Sequence, residues 1–177
     1  MPPCVAWVDD GRPATQRCAS DDGSTIVGSN FGPLYGGQAV RWTSSGVEGL
    51  GFLAGFDKSY AYGVSDDGST VLGYCTDADF NITAMIWQSG VGMTSLRDAL
   101  LSRGVGLTGW DALESALHIS ADGRFIVGNG VFNGESRGFV ADLGMPVPAP
   151  GASGLLGLAA AVGEKPASLE THRIRAG

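Results

Sequence analysis

Internal repetition binds a chain more tightly than composition does, because every copy has to reach one common local structure. Here the strings CASDDGSTIVGS (Cys18 to Ser29), GVSDDGSTVLGY (Gly63 to Tyr74) and HISADGRFIVGN (His118 to Asn129) superimpose on their Asp-Gly pairs without a gap. Each is followed by a second element: AVRW from Ala39 to Trp42, AMIW from Ala84 to Trp87, and GFVA from Gly138 to Ala141. The interval from glycine to tryptophan is 19 residues in both of the first two copies, Gly23 to Trp42 and Gly68 to Trp87. Successive copies step by 45 residues, Gly23 to Gly68, and then by 55, Gly68 to Gly123, because the connection after Trp87 is longer.

Each copy reads as four short strands. Asp67-Gly68 sits between two β-prone runs, and glycine there tolerates the positive φ of a tight hairpin turn. Ser89-Gly90 marks a second hairpin in ITAMIWQSGVGMTSL by the same logic. The 29 glycines and the short runs of Val, Ile, Thr and aromatic residues agree with a strand-and-turn chain. Two hairpins in about 45 residues is the size of a propeller blade. The expectation is an all-β fold of tandem four-stranded propeller-type blades, incomplete at about three units, where a closed ring normally takes roughly four to eight. Ile26, Val71 and Ile126 should occupy equivalent buried strand positions. Leu96, Ala99 and Leu100 fall at helical spacing, which predicts one short helix from Leu96 to Arg103, ended by Gly104 and covering a blade edge.

The formal net charge of −7 and the lack of a basic stripe argue against a nucleic-acid partner, which needs clustered Lys and Arg. Cys4, Cys18 and Cys75 show no CxxC or Cys/His spacing and read as structural or incidental. MPPCVAWVDDG lacks the basic start and apolar stretch of a secretory signal. CVAW resembles AVRW, yet Trp7 to Gly23 is 16 residues where Trp42 to Gly68 is 26. Residues 1–17 are therefore expected to be a partial or damaged repeat, with a signal peptide and further units upstream.

Several constellations invite chemistry. Gly134-Glu135-Ser136-Arg137-Gly138 fits G-x-S-x-G, with Asp142 and His172 following in hydrolase order. That motif needs a strand-to-helix elbow, whereas this one enters a repeat strand, so no catalytic residue is assigned. Asp21-Asp22 and Asp66-Asp67 suggest calcium, but the third copy has Ala121 for one Asp and no distant bidentate Glu follows, so turn formation is the better reading. Trp42 and Trp87 could stack on a sugar, although recurrence at one repeat position favours packing between blades. Asn81-Ile82-Thr83 matches a glycosylation sequon and is taken as coincidence. His118 and His172 have no ligand partners at metal spacing, and neither a metal nor a cofactor is expected.

With these residues assembled, the units from Cys18 to Leu143 resemble the HAF-type extracellular repeat family, in which an A-x-x-[IV]-[SN]-x-[DN]-G-x-x-[IV]-G segment alternates with A-F-x-W-x-x-x-G. The stretch from Ser95 to Leu143, with Gly109-Trp110 and GRFIVGNG in order, is similar to that family's terminal repeat. Beyond it, GMPVPAPGASGLLGLAAAV resembles a PEP-CTERM sorting tail, with Pro148-Ala149-Pro150 in place of Pro-Glu-Pro. Glu164, Lys165 and Pro166 break the apolar run short of the roughly 20 residues a membrane span needs, and Arg173 and Arg175 remain of a basic cluster. The expected organisation is a β-repeat domain over 18–144 and a disordered Pro/Gly-rich linker and sorting tail over 145–177 that does not pack on the repeats and anchors weakly or not at all.

The resemblance implies a non-catalytic exported bacterial protein, a cell-surface or extracellular-matrix scaffold or binding module. Its partners would be an extracellular ligand or polysaccharide, with export and sorting machinery acting on the full-length form. The alternatives are a piece of a propeller-type carbohydrate-active enzyme or a carbohydrate-binding module.

Overall fold

The computed structural model describes residues 14–30, 37–144 and 172–174. Among these residues, three four-stranded sheets and one short helix follow one another along the chain. The first sheet contains β1 (Ala14–Ala19), β2 (Ile26–Asn30), β3 (Gln38–Thr43) and β4 (Gly46–Gly49) in that spatial order. The second contains β5 (Lys58–Val64), β6 (Thr70–Thr76), β7 (Ile82–Gln88) and β8 (Gly92–Ser95), again in chain order. β1 begins at Ala14, ahead of the boundary expected after residue 17.

The third sheet runs β9 (Trp110–Ile119), β10 (Phe125–Phe132), β11 (Glu135–Asp142) and then β12 (His172–Ile174). Neighbours in all three sheets are antiparallel except β12, which pairs parallel to β11 through Phe139↔His172, Val140↔Arg173 and Ala141↔Ile174. This corrects the expectation that nothing after Met145 packs on the repeats. The outer edge of β11 has no hairpin partner of its own, and three residues of the distant tail occupy it, satisfying backbone groups that an open edge would leave to solvent. The rest of the tail lies outside the described residues, as do the boundary near residue 1 and the apolar run after Ala152.

One irregularity recurs in all three sheets. The register of the first strand against the second slips by one residue between Gln16 and Cys18, between Ala61 and Gly63, and opposite Val127 and Gly128. The extra residues, Arg17, Tyr62 and Leu117, stand at one repeat position, six before the turn glycine. A bulge of this kind bends and twists the strand that carries it. It presses the first strand's carbonyls onto glycines of the second: a Cβ on Gly73 would lie 1.7 Å from the Tyr60 carbonyl oxygen, and one on Gly128 2.0 Å from that of Ser115. Glycine is required there because the backbones touch, although neither residue has positive φ.

The sheets pack face to face. Val71, Met85 and Trp87 of the second sheet meet Val27 and Ala39 of the first in one core, to which Leu50 and Cys75 also belong. Leu72, Ala84 and Ile86, on the opposite face by strand alternation, meet Ile126, Phe139 and Ala141 of the third in another. The first strands come together, with β5 lying against both β1 and β9; a Cβ on Gly63 would meet the Leu117 carbonyl oxygen at 3.2 Å.

The cross-strand pairs Ile26↔Trp42, Val71↔Trp87 and Ile126↔Ala141 are equivalent. Val71 and Ile126 are fully buried, as expected, but Ile26 is only half-buried. The difference is one of position: the second and third sheets each present this face to a preceding sheet, and the first presents it outside the two described cores.

The helix α1 (Leu96–Leu101) is two residues shorter than expected at its C-terminal end. Ser95 caps its start by accepting from the Asp98 amide. The Arg103 and Gly104 amides then turn back to the Leu100 and Leu101 carbonyls, and Gly104 takes φ +75°, which closes the last turn early. Leu96 and Leu100 lie four apart on one face and are buried between the second and third sheets, together with Val105 and Leu107. The helix therefore fills the space between sheets, rather than simply covering a blade edge as expected.

Candidate functional site

The Asp-Gly turns place most of the polar chemistry. In each, a serine and the second acidic position form a closed network, of which residues 65–70 are representative. The Ser65 hydroxyl donates to Asp67 Oδ1 at 2.6 Å and accepts from the Thr70 amide at 3.0 Å, while Asp67 Oδ1 accepts from the Ser69 amide at 2.9 Å. The Ser65 amide donates to the Thr70 carbonyl and the Gly68 amide to the Ser65 carbonyl, both at 2.9 Å. Gly23, Gly68 and Gly123 take φ of +68°, +68° and +73°, the left-handed geometry that glycine adopts without strain. Ser20 with Asp22, and Ser120 with Asp122, repeat these bonds.

The working carboxylate is thus the second of each pair. Ala121 replaces the first, which is why the third copy keeps its turn. The Ser65 hydroxyl followed by the Ser69 amide holds the Asp67 carboxyl below its ordinary range. The Ser24 amide and Ser20 hydroxyl do the same for Asp22, and the Ser120 hydroxyl and Arg124 amide for Asp122. These are turn-forming carboxylates. Among the described residues no three His, Cys, Asp or Glu side chains gather as a metal site.

Between two of these turns, where the second and third sheets meet, lies a cleft of about 290 Å³. Asp67, Ser69, Gln88, Arg103, Asp122 and Arg124 contribute its polar lining, and Leu143 is the one apolar side chain among the residues around it. Arg124 is fixed by a two-pronged ion pair to the buried Asp142, Nε to Oδ1 at 2.8 Å and Nη2 to Oδ2 at 3.0 Å. That contact, with its attraction to Asp142, raises the Arg124 pKa above its ordinary value. The Arg103 guanidinium donates to the Leu143 carbonyl at 3.4 Å. The cleft therefore offers both donors and acceptors.

Sequence inspection missed this site. Its signal was a departure from the repeat: Arg124 stands where the other copies have Ser24 and Ser69.

The serine hydrolase pattern does not assemble. Ser136 is exposed near the start of β11 and Asp142 ends it, so six residues of extended strand separate them, roughly 20 Å. Asp142 is committed to Arg124, and His172 lies beside Phe139, midway between them. Trp87 is 6% exposed, with the Arg41 guanidinium 4.4 Å from its ring centroid. A ring so covered is no platform for a sugar, and Trp42 is half-buried. His118 is an exposed strand residue opposite Val127. Cys75 is buried, its thiol pushed up to about 11 by burial, which keeps it protonated and unreactive. Cys4 lies outside the described residues.

No family model matches the chain, and no curated protein matches it. A solved structure assigned as TolB from Agrobacterium tumefaciens is similar over 71% of this chain and 41% of that one, at 21% identity and a TM-score of 0.49. The chain thus spans less than half the length of that structure. Among the described residues no helix is long and apolar enough to cross a membrane.

Proposed function

We propose that the three sheets are successive blades of a propeller-type repeat body, and that this body belongs to an exported, non-catalytic module of a bacterial surface or extracellular matrix. The observation that carries this reading is the recurrence of one unit. Three sheets, each with the same Ser-x-Asp-Gly turn and the same first-strand bulge, pack face to face with their first strands together. Strands radiating from a common inner edge are how propeller blades are arranged. The resemblance of residues 18–143 to HAF-type repeats, and of the segment after Met145 to a PEP-CTERM tail, supports export and a surface destination. Separation of Ser136 from Asp142 removes the serine hydrolase pattern as a reason to expect catalysis. The repeat domain would run from β1 at Ala14 to residue 144 and take in β12 (His172–Ile174), the segment between them being a linker and sorting signal too interrupted to hold a membrane firmly.

Fractionation of cells producing the protein tests this. The expected outcome is recovery in the extracellular or surface fraction, with release from membranes by alkaline carbonate. Confinement to the cytoplasm would overturn the reading of export, and firm retention in the washed pellet that of a weak tail.

A further inference from the structure

Two polar groups in the cleft between the second and third sheets have bonding capacity that the described residues leave unused. The Gln88 side-chain amide is half-buried and without a hydrogen-bond partner among them. Arg103 is half-buried and pairs with no carboxylate among them, its guanidinium reaching only the Leu143 carbonyl. Asp122 adds an acceptor, because the turn occupies Oδ1 and leaves Oδ2 open. Half-buried Gln88 and Arg103 and the exposed Asp122 thus bring donors and an acceptor of complementary kind to one space.

The lining narrows what could complete them. Small-ligand sites run from roughly 300 to 1,000 Å³ and are mostly apolar. At about 290 Å³ the cleft is at the small end, and its walls expose polar and apolar surface in similar measure, which suits a ligand that carries both hydroxyl groups and C–H faces. An anion would meet the carboxylates of Asp67 and Asp122, and a cation the guanidiniums of Arg103 and Arg124. A neutral ligand rich in hydroxyl groups meets neither repulsion. Each hydroxyl both donates and accepts, so one can bridge Arg103 or Gln88 on one side and Asp122 Oδ2 on the other.

We propose that this cleft binds a neutral saccharide, one or two sugar units being held between the Asp67 and Asp122 turns. The proposal deepens the reading as a surface or matrix module and rests on it. The site is distinct from the tryptophan platform, which Arg41 covers.

Titration of the full chain with cellobiose, maltotriose and xylotriose, followed by amide and guanidinium NMR signals, is the direct test. At least one sugar should shift Ser69, Gln88, Arg124 and Gly144 while leaving the far turn at Asp79 unmoved. Arg103→Ala should weaken that binding at least tenfold without changing the melting temperature, and Gln88→Ala should do likewise. Asp79→Ala, at the opposite end of the second sheet, should bind as the unaltered chain does.

Absence of shifts with all three sugars, shifts centred elsewhere, or undiminished affinity in Arg103→Ala would each overturn the proposal. Tighter, salt-sensitive binding of a trigalacturonate would overturn the neutral assignment. Fractionation reads where the protein resides and titration reads what the cleft holds, so failure of one is distinguishable from failure of the other.

Discussion

At the scale of single residues, the Ser-Asp pair of each turn has a consequence for pH. Asp22, Asp67 and Asp122 all have folded-state pKa values below the ordinary 3.8. A depressed carboxylate contributes stability that is fully present above its unfolded pKa and is lost as the pH falls through the lower folded value. The urea midpoint should therefore hold from neutral pH down to about 4 and fall below that. A variant carrying Asn at all three positions should start lower at pH 7 and show a flatter acid limb. An unchanged acid limb would mean that other carboxylates govern acid unfolding. Core packing supplies a second residue-level prediction. Ile126→Ala, at a fully buried site, should cost about 2 to 4 kcal/mol in urea titrations, and Ile26→Ala, half-buried at the equivalent position, about 1. Equal losses would refute the difference in environment between the two faces.

At the scale of elements, the repeat was legible because turn chemistry is local. Asp-Gly requires a left-handed glycine whatever lies around it, and the strands on either side pair by alternation. The helix was legible for the same reason, from Leu96 and Leu100, while its end depended on how Gly104 closes the turn. The first-strand bulge was not legible, since its extra residues, Arg17, Tyr62 and Leu117, share no chemistry. What they share is a glycine on the facing strand, Gly28, Gly73 and Gly128, visible in sequence only once the register is known. The pairing of β12 with β11 was equally hidden, because three parallel residues reached across a long connection leave no periodic signal. The cleft needed the two sheets to be placed before Gln88, Arg103 and Arg124 could be seen together. Gly73→Ala or Gly128→Ala should cost more than about 3 kcal/mol, since a methyl group would have to displace a strand carbonyl rather than a side chain. Gly90→Ala is a useful contrast: a Cβ there meets nothing within 4 Å, so only its φ of +78° opposes the change. A loss at Gly73 no greater than at Gly90 would show that the bulge relaxes.

At the scale of the whole molecule, the second sheet holds the structure together, because its two faces supply opposite walls of the two cores. Neighbour-only packing of this kind makes stability a sum of unit and junction terms, so the junctions need not open together. They are unequal. Among the described residues, the junction of the second and third sheets buries 14 apolar residues, including Leu96 and Leu100 of the helix. The junction of the first and second buries nine of the described residues, with no helix between them among those residues. At roughly 25 cal/mol per Å² of apolar surface, the added side chains give the second junction a margin of several kcal/mol. Amide hydrogen exchange under native conditions should therefore show the first sheet opening at lower free energy than the third. Val27 and Val40 should exchange before Ile126 and Phe139, and Leu72, shared with the larger core, should follow the slower group. Leu100→Ala sharpens the test, since it weakens only the junction that contains α1. It should accelerate exchange at Ile126 and Phe139 while leaving Val27 nearly unchanged. Uniform acceleration across all three sheets would mean that the body opens as one cooperative unit and that the junctions do not act separately.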